Sequence, residues 1–350
     1  MAESTANNEP AAQNEQNEPT TQDNHQVEAE VEVDLQATDN DSSYGTELST
    51  YSASLTSSVL NYRHENGRRY HAYRDGSYLL PNDETEADRL DIMHEMTLEM
   101  MERKLFLAPI GPSPQKVLDI ATGTGIWAID FADEYPSAEV IGNDLSPTQP
   151  NLVPPNLKFL VDDIESEWTY EKNSFDFIHA RYLAYSIKDF KKLLKQCYDC
   201  TKPGGWVEFQ DWDTQVRSED GSLKGTDLER FIADFINAFE KAGYPTRPGP
   251  HLEEWFREAG FVDVHVKKYY VPQGAWPKDP YYKKLGTWNL LQAETGFKAG
   301  ALAVFTRFES WKPEEVEVFA AKALNDIKNP KVHALYDFYV VYGRKPESTK

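Results

Sequence analysis

Three acidic residues sit at or near the ends of short apolar runs: Asp119 in Val117-Leu118-Asp119-Ile120, Asp144 after Val140-Ile141-Gly142-Asn143, and Asp163 after Phe159-Leu160-Val161-Asp162. The turn Gly123-Thr124-Gly125, followed by Ile126-Trp127-Ala128, lies between the first two and has the spacing G-x-G-x-x-A. Such a turn takes a chain from a strand into a helix with its backbone close to a ligand. Asp144 is suited to accept hydrogen bonds from both hydroxyls of a ribose, Asp163 from an adenine amino group, and Ile164 to cover the adenine ring. These residue types point to an adenosine-containing ligand.

The glycine spacing alone fits NAD as well as S-adenosyl-L-methionine, and so does Asp144. Asp119 separates them. A carboxylate there faces an ammonium or hydroxyl well, and it repels a pyrophosphate placed on the same loop. Pro203-Gly204-Gly205 further along reads as a sharp turn between a helix and a strand. These features favour S-adenosyl-L-methionine as the expected cofactor.

These residues need a scaffold that brings strand ends to one edge. Apolar runs predict strands at "KVLDIA", "AEVIGNDL", "LKFLVDD", "FDFIHAR" and "GWVEFQDW", with helices between them around residues 126–134 and 189–201. That alternation implies a parallel sheet covered on both faces, with the ligand outside the strands' C-terminal edge. A helix precedes the first of these strands. Asn82 or Asp83 suits its N-cap, and Leu90, Met93, Met96 or Thr97, Met100, Met101 and Leu105 follow helical spacing. The methionines read as a core stripe, or as a movable helix flanking the cofactor. Beyond Trp212 the pattern gives helices over "TDLERFIADFINAFEKAGY", "LEEWFREAGF" and "PEEVEVFAAKALNDIK". It also gives a helix from Thr287 broken by Gly296 and Gly300, and strands at "VDVHVKKYYV" and "ALYDFYVVYGRKP".

Composition narrows the function. The chain has 350 residues and a net charge of −22, and residues 1–43 hold eleven acidic residues with no Lys or Arg. That segment cannot bury enough apolar area to offset its ordering entropy, so a disordered acidic tail is expected. An acidic body without a basic stripe argues against nucleic acid. No apolar run reaches the length of a membrane span, and the N-terminus has no secretory pattern. Two cysteines, Cys197 and Cys200, are too few for a disulfide framework, and their C-x-x-C lies in a helix. A cytoplasmic or nuclear protein is the expectation.

With Asp119 before the glycine turn, Asp144, Asp163-Ile164 and Pro203-Gly204-Gly205 in this order, residues 116–213 resemble the class I S-adenosyl-L-methionine-dependent methyltransferases. The stretches "NYRHENGRRYHAYRDGSYLLPNDETEADRLDIMH", "FDFIHARYLAYSIKDF" and "TKPGGWVEFQDWD" narrow the likeness to the LaeA-like fungal methyltransferases, over about residues 44–345. The resemblance implies a Rossmann-like α/β fold: a seven-stranded sheet with helices on both faces and an antiparallel last strand. It divides the chain into the tail 1–43, an N-terminal flap and helix 44–112, and a methyltransferase domain 113–345. It implies cofactor contacts from Asp119, Ala121, Gly123, Gly125, Asp144, Leu145, Asp163 and Ile164. Ala121 stands where many methyltransferases have Gly or Cys. Members are associated with fungal secondary metabolism, some as tailoring enzymes and others as velvet-associated regulators. The implied partners are therefore a small-molecule acceptor and regulatory proteins.

Other residues are candidates for the acceptor side. His179 and Arg181 follow the fourth strand on the ligand edge, as a base and an orienting cation, or as a strand-end histidine and an arginine paired with a carboxylate. Tyr70, His71 and Tyr73 could close over the cofactor or pack as an aromatic flap. Glu208, Asp211 and Asp213 lack a companion cluster, so no metal is expected. His179-Ala180-Arg181-Tyr182 stands where a DNA amino-methylating enzyme would carry D/N-P-P-Y/F, and no paired-glutamate loop for arginine methylation is present. No catalytic residue is assigned.

Overall fold

The computed structural model describes residues 61–347, so the acidic tail and the start of the flap lie outside the described residues. The described chain begins with a hairpin, β1 (Arg63–Glu65) and β2 (Arg68–Tyr70). Its turn is Asn66-Gly67, both at positive φ (51° and 74°), the residue pair such two-residue turns demand. The sequence reading passed over this signal. Helix α1 (Glu84–Met100) follows, capped by Asp83, whose carboxylate accepts from the Glu86 amide at 3.1 Å.

The expected alternation then appears: β3 (Lys116–Ile120), α2 (Ile126–Glu134), β4 (Glu139–Asp144), β5 (Leu157–Val161), β6 (Phe175–Arg181), α3 (Phe190–Cys200) and β7 (Thr201–Arg217). The rest comprises α4 (Asp227–Lys241), α5 (Leu252–Ala259), β8 (Val262–Pro272), α6 (Pro280–Phe308), α7 (Pro313–Lys328) and β9 (Leu335–Arg344). Seven strands form one sheet in the order β5-β4-β3-β6-β7-β9-β8. The pairs among β3 to β7 are parallel, and β9 runs antiparallel to both β7 and β8. This is the seven-stranded sheet with an antiparallel last strand that the resemblance implied.

Alternation along the strands sorts the core onto two faces. Val117, Val140 and Phe177 pack with Trp127 and Phe131 of α2. Their neighbours Leu118, Ile141 and Ile178 pack on the other face with Leu193, Leu194 and Cys197 of α3 and Phe256 of α5. Both cysteines are buried in that layer. Met96, Met100 and Met101 pack against Val271, Leu285, Phe338 and Val340, so these three methionines are core, whereas Leu90 and Met93 of the same stripe line cavities. A further layer joins α4, α6 and α7 through Phe231, Phe239, Phe305 and Phe319. Among the described residues no helix is long and apolar enough to cross a membrane.

Two expectations are corrected. Helix α6 starts at Pro280 and runs unbroken through both glycines. Gly296 faces Arg89 and Gly300 faces Phe235, where an added β-carbon would lie 2.9 Å and 3.2 Å from those side chains. The glycines let α1 and α4 approach α6 closely and do not break it. Pro203-Gly204-Gly205 is a bulged stretch inside the long strand β7, paired irregularly with β6 between Phe175 and Phe177. Backbone bonds from Gly204 to the Lys345 carbonyl and from Lys345 to the Gly205 carbonyl hold it in the sheet.

Candidate functional site

A cavity opens at the C-terminal ends of β3, β4, β5 and β6. Its floor includes Asp119, Ala121, Gly123, Asp144, Leu145, Asp163 and Ile164. The eighth expected residue, Gly125, is set back from it. Gly125 is left-handed (φ 81°) at the N-cap of α2, and a β-carbon there would lie 2.4 Å from the Phe159 ring. Conformation and space both call for glycine.

The turn amides decide what the cavity can hold. Ala121 donates to Asn143 Oδ1 at 3.2 Å, and Gly123 donates to Asp144 Oδ2 at 2.9 Å. Thr122 donates to the Asn143 carbonyl at 2.8 Å and Gly125 to the Thr122 carbonyl at 3.0 Å. A turn that binds a pyrophosphate aims such amides at the ligand. Here they are engaged within the turn and on a neighbouring carboxylate. With the acids around it, the loop suits hydroxyl and ammonium donors, and these four amides are not free for a pyrophosphate.

Asp144 also accepts from the Ser146 amide at 2.9 Å. Burial pushes its carboxyl up to about 6, against the pull of these amide bonds. At neutral pH it is ionised and keeps acceptor capacity on both oxygens. Asp163 accepts from the Glu165 amide and the Ser166 hydroxyl, and the Arg74 guanidinium lies 3.6 Å from it. The flap is thereby fastened to the end of β5.

Asp119 is 3% exposed. One of its oxygens accepts from the Thr122 hydroxyl, and the other lies 2.7 Å from His179 Nδ1. The His179 ring lies flat on Trp127, with centroids 3.7 Å apart and planes at 5°. Burial holds the His179 pKa below its ordinary value. The neutral ring donates from Nδ1 to Asp119, and its buried Nε2 lies on the side of Gln210. Arg181 donates to His94 Nδ1 at 2.9 Å, and His94 Nε2 donates to Asp130 at 2.9 Å. The arginine's partner is thus a neutral histidine, where the sequence offered a carboxylate. Both His179 and Arg181 line the cavity.

Tyr70, His71 and Tyr73 do not reach this cavity; the flap residues that line it are Ser77, Tyr78, Pro81 and Asn82. Tyr70 is buried under the Arg307 guanidinium, and His71 Nε2 donates to the Arg74 carbonyl at 3.1 Å. Glu208 and Asp211 are clamps. Glu208 accepts the Leu107 and Ala108 amides, and Asp211 accepts the Leu183 and Ala184 amides. Asp213 pairs with Arg247.

A second cavity adjoins the first, and Tyr78, Glu86, Leu90 and Tyr182 line both. Sequence reading missed it because its walls come from α1, β7, α4 and α6, which are distant along the chain. The spacing of Phe231 and Phe235 in α4 gave only a helical apolar face.

Residues 92–266 match the family described as "Methyltransferase domain". The chain belongs to that family. It is 41% identical over 319 residues to "Methyltransferase pytC" of Aspergillus terreus, which covers 91% of this chain and 96% of that protein. It is 36% identical to "Secondary metabolism regulator LAE1" of Cochliobolus heterostrophus, over 81% of this chain and 94% of that one. It is 35% identical to "Secondary metabolism regulator laeA" of Aspergillus fumigatus, over 81% and 76%. It is a fungal methyltransferase homologous to the LaeA and pytC proteins, and its cofactor is S-adenosyl-L-methionine. In the methyltransferase Ala121 is in left-handed conformation (φ 52°), where its β-carbon costs about 1–2 kcal/mol.

Proposed function

We propose that this methyltransferase acts on a small-molecule acceptor of fungal secondary metabolism. The observation that carries the reading is the joined pair of cavities. One is lined by strand-end carboxylates and by a turn whose amides are engaged, and the other is walled by aromatic side chains.

The residues fit the cofactor. Asp144 would hold the ribose hydroxyls, with Leu145 beside it. Asp163 and Ile164 would hold the adenine, and Asp119, Ala121 and Gly123 would surround the amino-acid end. Gly125 would act through the shape of the turn. When bound, S-adenosyl-L-methionine supplies a methyl group on a sulfonium, electrophilic without further activation. The protein's share is to align the acceptor and exclude water, and such alignment is worth several kcal/mol of barrier. Tyr78, Leu90 and Tyr182, at the junction of the cavities, are placed to do so. His179 is read as a positioning residue that holds Asp119.

Titration calorimetry tests the reading. S-adenosyl-L-methionine should bind and NADH should not; the opposite result overturns it.

The similarity to proteins called secondary metabolism regulators supports a second reading. In it the same fold works in the cytoplasm or nucleus through protein partners of the velvet type. Metabolite profiling of a deletion strain separates the two. A tailoring enzyme leaves one unmethylated intermediate, whereas a regulator's loss silences several unrelated products.

A further inference from the structure

The second cavity has a chemistry of its own. Tyr185, Phe231, Phe235, Phe297, Trp212 and Tyr336 contribute to its walls. Several of these rings already pack on each other, as Phe231 does on Phe297 with centroids 4.8 Å apart. Aromatic walls favour flat aromatic guests by stacked and edge-on contact.

The charges at this cavity are compensated. Arg89 and Glu86 line it and are tied to each other by two bonds, Nη2 to Oε1 at 2.6 Å and Nε to Oε2 at 2.9 Å. Arg89 also donates to Gln292 Oε1 at 3.1 Å. A charged guest would have to break that buried pair, so the cavity disfavours anions and cations alike.

Two lining side chains carry buried polar atoms with no partner: Trp212 Nε1 and Gln273 Oε1. The first can only donate and the second can only accept. The orientation of the Gln273 amide is fixed, because its Nε2 donates to the Asn289 carbonyl at 3.1 Å. A buried donor or acceptor left unpaired is costly, so a guest that satisfies it is selected over one that cannot.

We propose that this cavity is the acceptor subsite, and that it selects an uncharged, planar aromatic molecule carrying one hydrogen-bond acceptor for Trp212 and one donor for Gln273, as in a fused-ring lactam or hydroxy-carbonyl compound. The inference rests on the small-molecule methyltransferase reading and names the class of its acceptor.

Binding to the full-length protein saturated with S-adenosyl-L-methionine tests it, with 2-quinolinone, naphthalene-1-methanol, cyclohexanol and 1-naphthoate as probes. The lactam should bind at least tenfold tighter than cyclohexanol or 1-naphthoate. Trp212→Phe and Gln273→Leu should each erase the preference for 2-quinolinone over naphthalene-1-methanol while leaving aromatic binding. Phe235→Leu, which removes one aromatic wall from α4, should weaken binding of 2-quinolinone and naphthalene-1-methanol and leave cofactor binding unchanged. Cofactor binding in each variant reports that it is folded. Tight cofactor binding with no aromatic preference, or a preference for 1-naphthoate, overturns the inference alone. Failure to bind the cofactor overturns the reading beneath it, and the inference with it.

Discussion

Asp119 and His179 lie on adjacent parallel strands, directly paired in the sheet, and their side chains meet at 2.7 Å beneath the cofactor cavity. The histidine is fully buried, stacked on Trp127, and neutral. Its ring acts as a wedge that fixes which way the Asp119 carboxylate points. The pairing gives an acid four residues before Gly123 a defined direction, where a lone strand-end acid could swing away.

Removing both partners should therefore cost less than the sum of removing each alone. His179→Phe keeps the stacking on Trp127 and deprives a buried carboxylate of a donor, at a cost of about 2–3 kcal/mol. Asp119→Asn leaves an acceptor for His179 but removes the charge. It should weaken S-adenosyl-L-methionine binding at least tenfold. In the double variant, urea unfolding should show a loss smaller than the sum of the singles by about 1 kcal/mol or more. Additive losses would show that the pair is not a unit.

Asp144 should set a pH limit on cofactor binding. Its carboxyl is pushed up to about 6, with burial the main cause. Only the ionised form accepts from two hydroxyls with full strength. Affinity should be level above pH 7 and should fall below about 6, approaching tenfold per unit as the carboxyl takes up its proton. Asp144→Asn should bind weakly at every pH and show no such slope. A wild-type affinity that stays level from pH 7 to 5 would remove Asp144 from the ribose.

The two turn glycines should differ in how they tolerate alanine. Gly123 has φ 60°, and an added β-carbon would meet only Leu90 Cδ1 at 3.5 Å, an ordinary contact. Gly123→Ala should cost about 1 kcal/mol, the strain of the left-handed backbone. Gly125→Ala adds a collision with the Phe159 ring and should cost about 2–4 kcal/mol. Equal losses in denaturant unfolding would contradict the packing described for Phe159.

What could be read from the sequence was local. The strands and helices around Gly123 follow from periodicity, and Asp119, Asp144 and Asp163 arrive at one edge because parallel strands must end together. Contacts between distant segments carry no such mark. Nothing near Trp212 or Gln273 in the chain announces that α4 and α6 will enclose them. The glycines of α6 misled for a related reason: mid-helix glycine is a breaker by propensity, yet here it is the space that Arg89 and Phe235 occupy. Tyr78 was overlooked among the aromatic residues of the flap because all of them have the same composition signature, and only the fold shows which one faces the cavity.

Glu208 offers a test of the clamp between β7 and the segment after α1. It accepts two backbone amides, from Leu107 at 2.8 Å and Ala108 at 2.7 Å. Burial nevertheless raises its pKa from 4.5 to about 7. The folded protein thus holds a proton that the unfolded chain releases near its ordinary value. The resulting contribution to stability is fully present below about 4.5 and is lost as pH rises to about 7. Glu208→Gln keeps an oxygen for the two amides and cannot ionise. The stability of this variant relative to wild type should increase between pH 5 and 7, by up to about 3 kcal/mol, and then level off. The wild-type profile alone is a poor measure, because the lowered pKa values of buried His94 and His179 act with the opposite sign below pH 6.5. The difference between variant and wild type cancels them. A difference in unfolding free energy that stays flat across this range would mean that the amide bonds, and not burial, set the charge of Glu208.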